Sequence, residues 1–202
     1  APRRTDDSWT ELRATRDGSP IVMPWLAALA VEGKCFQIRQ GNLTTPVTAN
    51  VNITDTQAEM AVEAATGYVI IPFYLNVQTD AIGGTLPEVA LKSVGALITT
   101  IGTAVTPMNL KIGGPAASGR AAAGATAGIV IVAAELATTT RRHFYNVQVI
   151  AAAPYPLADV YLRAPPVCVG PASAYVQVSA TTTGSTYFAH LDYAELTTAE
   201  LL

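Results

Sequence analysis

From residue 43 onward, apolar and polar positions alternate along the chain with a period of two. Val47, Ala49, Val51 and Ile53 alternate with Thr48, Asn50, Asn52 and Thr54. This predicts a half-buried strand, because successive strand side chains point to opposite faces. Residues 57–65 repeat the pattern, with Ala58, Met60, Val62 and Ala64 set against Gln57, Glu59, Glu63 and Ala65. A turn at Thr66-Gly67 leads into the mostly apolar run 68–77, where Pro72 lacks a ladder N–H and predicts a bulge or an edge. Beyond a loop at 80–87, strands are predicted at 88–100, 129–136, 144–151 and 159–163. The Gly- and Ala-rich residues 113–128 read as a long loop, since they offer little core volume and their glycines break helices. The runs 174–180 and 186–196 flank the turn Thr182 to Ser185 and predict a closing hairpin.

Eight to ten strands follow from this count. They are separated by Pro, Gly, Asn and Thr turns, with no amphipathic helix and no internal repeat of fixed period. The predicted fold is all-β, an antiparallel β-sandwich of jelly-roll type. Residues 20–202 form its single domain, a length at which such sandwiches fold as one unit.

Residues 1–19 read differently. Arg3, Arg4, Arg13 and Arg16 balance Asp6, Asp7, Glu11 and Asp17, and Trp9 and Leu12 stand out as the large apolar groups. This is an N-terminal arm that cannot bury enough of its own surface to offset ordering. We expect an adjacent subunit to hold it, with Trp9, Leu12 and Arg13 as assembly contacts.

Half of the residues are hydrophobic and only 13% are charged, against roughly 25% charged in an average soluble domain. Part of the surface is therefore expected to be covered by copies of the same chain, most simply in a homotrimer. The formal charge of −3 supplies no basic stripe to neutralise phosphates, so no nucleic-acid contact is expected. No apolar run reaches the roughly 18 residues of a spanning helix, and no membrane contact is expected. Residues 20–31 resemble a signal-peptide core, but acidic residues precede them and Pro24 interrupts them. Cys35 and Cys168 form neither a CxxC pair nor a disulfide framework, and read as two buried free thiols.

Candidate chemistry is sparse, and no enzyme is expected. His143 and His190 are the two histidines, without a Gly-x-Ser-x-Gly elbow beside either. His190 and Asp192 share one face of a predicted strand, a geometry open to a metal or a general base but read more simply as a polar outer face. His143 follows Arg141 and Arg142 in an apparent turn. That basic trio reads as a solvated loop or subunit contact, and Arg141 and Arg142 join the expected assembly contacts. The Gly-rich loop lacks the Gly-Lys-Ser/Thr ending and the strand-to-helix setting of a phosphate loop. Glu195 and Glu200 read as surface groups. Asn42-Leu-Thr44 and Asn52-Ile-Thr54 match the glycosylation pattern by chance. No cofactor and no metal are expected.

Residues 165–178, beginning Pro-Pro-Val-Cys-Val-Gly-Pro, and 183–196, containing Tyr-Phe-Ala-His-Leu-Asp-Tyr, resemble the closing strands of small bacteriophage virion proteins of the coat, cement or head-decoration type. Residues 66–77 are similar to a core strand of the same group. The resemblance covers about a third of the chain and implies a self-assembling jelly-roll protein, located in the virion, that forms, decorates or cements a capsid with other capsid proteins. Such a protein works mechanically, through many weak contacts that add. A strongly basic arm of the genome-packaging kind is missing, which favours an outer layer. The alternative is a carbohydrate-binding or adhesion sandwich, for which aromatic side chains gathered on one exposed face would speak.

Overall fold

The computed structural model describes residues 24–42, 44–49, 56–81, 87–123, 129–132, 140–147, 155–179 and 186–201. Eight strands of five or more residues dominate it: β1 (Cys35–Gln40), β4 (Met60–Ala64), β5 (Tyr68–Ala81), β6 (Glu88–Val94), β10 (Arg141–Val147), β11 (Tyr155–Tyr161), β13 (Ala172–Ser179) and β14 (Thr186–Thr197). Shorter pieces are β2 (Val47–Thr48), β3 (Gln57–Ala58), β7 (Met108–Asn109), β8 (Ala121–Ala123), β9 (Ile129–Val130) and β12 (Cys168–Val169), with helices α1 (Trp25–Glu32) and α2 (Thr198–Leu201).

The first sheet runs β11-β5-β14-β1-β7, with β12 also on β5 and β2 also on β14. The second runs β10-β6-β13-β4-β8. Counting only the eight long strands, the orders are sixth-third-eighth-first and fifth-fourth-seventh-second. This is the order of a jelly roll, in which a long double ribbon pairs first with eighth, second with seventh, third with sixth and fourth with fifth, then rolls into two layers. All pairings are antiparallel. The protein is an all-β sandwich, as the sequence predicts.

The core lies between the layers. Phe36 and Ile38, Leu75 and Val77, and Leu191 and Tyr193 come from the first sheet; Met60 and Val62, Val89 and Leu91, and Ala174 and Val176 come from the second. Each outer face is also partly covered. On the first sheet, Leu26, Leu29 and Ala30 of α1 pack over Cys35, Val69, Ile71, Phe73, Ala194 and Leu196. On the second, Ile98, Ala122, Ile129 and Ile131, from the segment between β6 and β10, pack over Ala58, Ala61, Val94 and Tyr175.

Several local expectations are corrected. Within the run 20–31, which resembles a signal-peptide core in sequence, a helix that the sequence does not predict spans Trp25–Glu32. Pro24 precedes it, and Gly33 closes it at φ 77° while the Gly33 and Lys34 N–H groups return to Ala30 and Leu29. The strand predicted at 88–100 stops at Val94. The loop 113–128 contains β8, whose alanines are small enough to be fully covered beside β4. Arg141 and Arg142 lie in a strand, not a turn. β13 and β14 are the predicted strands of the closing hairpin, but they belong to opposite sheets, so they do not pair with each other.

Glu59 and Glu63, expected on a solvated face, are about 99% covered. The segment beyond β6 closes over Glu63, which accepts the Ile98 N–H at 2.5 Å and pairs with the Arg120 guanidinium at 2.6 Å, while Glu59 accepts the Val178 N–H at 2.7 Å. Pro72 does mark a bulge: β14 pairs Asp192 with Tyr74 and Tyr193 with Pro72, leaving Phe73 over.

Candidate functional site

Trp9, Leu12 and Arg13 lie outside the described residues, as does the rest of the arm. Arg141 and Arg142 are exposed on β10, which forms an outer edge of the second sheet among the described residues. The Arg142 guanidinium sits 5.2 Å from the Tyr145 ring centre, and Tyr145 and Val147 project from the same strand at 45% and 40% exposure. A cation over an aromatic face is attracted by the ring quadrupole, so this edge carries an ordered mixture of charge and apolar surface.

A bulge between Arg142 and Phe144 re-aims His143. Its Nε2 comes within 2.6 Å of the Ser93 Oγ. Ser93, Arg141 and Cys168 line a cavity of about 170 Å³, rimmed by Val167 and Val169. Burial, and after it the nearby Arg141 charge, lowers the His143 pKa from 6.5, so the ring is neutral at pH 7 and can accept the serine proton in a hydrogen bond. Burial pushes the Cys168 thiol up to about 11, leaving it protonated and unreactive. Among the described residues, the lining of this cavity includes no carboxylate. Sequence reasoning missed the pair of His143 and Ser93 because its members lie on different strands, fifty residues apart.

His190 and Asp192 do share the outer face of β14, and the register places them in a larger grid. One row across four strands is Gln37, Asp192, Tyr74 and Tyr161; the next is Arg39, His190, Asn76 and Asp159. The Tyr74 and Tyr161 rings are 4.4 Å apart, and Tyr74 and His190 are 5.3 Å apart. The Tyr74 hydroxyl donates to Asp159 at 2.7 Å, the Gln37 amide donates to Asp192 at 2.8 Å, and the Arg39 Nε donates to the Gln37 carbonyl at 2.5 Å. Burial raises the Asp192 pKa, against the lowering pull of Gln37, His190 and Arg39. Burial likewise lowers that of His190, although Asp192 pulls it up. Helix α1 covers the adjoining part of the same face and forms a step at one side of the grid.

The Gly-rich segment binds an anion, but the anion belongs to the protein. Ser118 and Gly119 donate their N–H groups to the two oxygens of Glu195 at 2.7 and 2.8 Å. Glu195 is therefore buried, not a surface group. Glu200 does lie near the surface, where it pairs with Lys34. Among the described residues, no three His, Cys, Asp or Glu side chains cluster as metal ligands.

At the far edge of the first sheet, β7 and the loop beyond it hold Met108 and Leu110 at 42% exposure and Ile112 at 100%. Asn109 pins this loop: its amide donates to the Gly33 and Pro115 carbonyls, both at 2.8 Å, and its oxygen accepts the Lys111 N–H. No protein-family model matches the chain, and neither does any curated protein or solved structure.

Proposed function

We propose that the chain is a self-assembling structural protein of a virion, which forms, decorates or cements a capsid shell. The observation that carries this reading is the placement of exposed apolar groups at opposite lateral edges of one sheet. Asn109 is the register partner of Phe36, Phe36 of Tyr193 and Tyr193 of Pro72, while Cys168 pairs with Ile70 on the far side of β5. The Ile112 loop and the half-exposed Val167 and Val169 thus flank the same level of the sheet. A contact between opposite edges of two copies is heterologous, and it closes into a ring when the rotation per copy allows. The pinned loop loses little freedom on docking, which favours association. The segments 165–178 and 183–196, which resemble phage closing strands, support the virion setting, and the absence of a basic stripe supports a layer away from the genome.

Light scattering on the full chain tests the reading. A trimer or larger assembly of the 21.0 kDa chain is expected, with regular rings or lattices in electron micrographs. Ile112→Asp should weaken self-association at least about tenfold, the effect of losing one anchor. A monodisperse monomer at micromolar concentration rejects self-assembly; undiminished assembly of Ile112→Asp rejects the edge route.

A further inference from the structure

We infer that the grid on the outer face of the first sheet is a binding platform for a neutral saccharide. The site goes beyond the shell reading and does not depend on it.

Tyr161 is 67% exposed, yet its ring is held against Tyr74, which in turn is fixed by its hydroxyl bond to Asp159. An exposed aromatic ring that is already positioned loses little entropy when a ligand stacks on it. The rings of Tyr161, Tyr74 and His190 succeed one another across the sheet, and aromatic faces suit the C–H face of a pyranose ring. Beside them stand the exposed Asp159 carboxylate, which accepts the Tyr74 hydroxyl, and the exposed Arg39 guanidinium, a register neighbour of His190, while the Asp192 carboxylate and the Asn76 amide, register neighbours of Tyr74 and His190, lie largely buried beneath. Vicinal hydroxyls donate to carboxylates in short charge-assisted bonds and accept from amide and guanidinium N–H groups.

Charge selects among ligands. An anionic ligand meets the exposed Asp159 carboxylate, and a cation meets Arg39. A nonpolar peptide offers nothing to the remaining lone pairs of Asp159 and N–H groups of Arg39, which is costly once water is excluded. A neutral polyol satisfies donors and acceptors together. With strands about 4.8 Å apart, four strands span about 14 Å, enough for two or three sugar units. The step made by α1 limits the ligand on one side.

The test titrates the full chain, followed by amide NMR shifts, with maltohexaose, cellohexaose, mannohexaose and N-acetylchitohexaose, with sialyllactose as the anionic control. At least one neutral member should bind with a Kd of about 1 mM or tighter. Tyr161→Ala should weaken it at least about tenfold, and Tyr161→Trp should preserve it, with melting temperature and native mass unchanged in both. The inference fails if no neutral sugar binds at millimolar concentration, if binding survives Tyr161→Ala, or if only the sialylated sugar binds.

Discussion

Glu195 and Gly119 are held together by a hydrogen bond of 2.8 Å that continues into a second, 2.7 Å, from the Ser118 N–H to the other carboxylate oxygen. A β-carbon on Gly119 would lie 2.3 Å from the Glu63 carbonyl oxygen and 2.9 Å from Glu195. One of these neighbours is backbone and cannot yield. Overpacking of this kind costs about 2 kcal/mol, so Gly119→Ala should lower the Tm by about 6 °C. Glu195→Ala, which strands two N–H groups, should cost about 3 kcal/mol. Thermal melts followed by circular dichroism measure both, and an unshifted Glu195→Ala melt would show that the carboxylate is not what seats the loop.

Acid should destabilise the fold through its histidines. In the folded chain, burial and Arg141 lower the His143 pKa from 6.5, and burial lowers that of His190. The unfolded chain then binds protons first as the pH falls. This contribution to stability is complete above about 6.5 and is lost as the pH drops from there through the folded values. Asp192, raised by burial, has the opposite sign. Melts between about pH 7.5 and about pH 5 should show a falling Tm, and His143→Gln with His190→Gln should flatten the slope. An equally steep slope in the double variant rules the histidines out.

Both thiols are buried and free, as the sequence suggests. Burial, with some help from Asp192 in the case of Cys35, pushes each up to about 11. Neither thiolate is populated at pH 8, so iodoacetamide should label the native chain far more slowly than the unfolded one, with no change in Tm under reductant. Labelling of Cys35 at the unfolded rate would mean that α1 does not stay on the sheet.

Deleting residues 1–19 should leave the sandwich intact, because Trp9 and Leu12 are the large apolar groups the segment carries. The arm, carrying Trp9, Leu12 and Arg13, is expected to clamp neighbouring copies. Its loss should weaken assembly at least about tenfold at unchanged β-sheet content. Equal assembly of the truncated chain removes the arm from the mechanism.

Much of the strand content was legible because a period of two reports a strand directly, and β5, β13 and β14 lie close to where that period places them. Pairing was not legible. Adjacent strands suggest a hairpin, whereas in this roll β13 and β14 join partners far away in sequence. Glu63 and Glu59 mimicked a solvated face because their partners, Ile98 and Arg120 for the one and Val178 for the other, lie far along the chain. Helix α1 hid in an apolar run with no polar stripe, for it packs on a sheet yet leaves Trp25 and Val31 about half exposed. The His190 and Asp192 pair was visible as a spacing of two; the grid around it needed the register with β1, β5 and β11.

The rolled strand order also governs how the molecule comes into being. β13 sits between β4 and β6, and β14 sits between β1 and β5. Each sheet thus receives a central strand last during synthesis. Until residues 172–197 emerge, β4, β6, β1 and β5 all present unpaired ladder edges of the kind that recruit other chains. Contacts so distant in sequence make folding slow. A ribosome stalled before β13 therefore holds an aggregation template rather than half of a finished protein, and crowded synthesis of many copies places a premium on rapid release or on a chaperone that covers those edges.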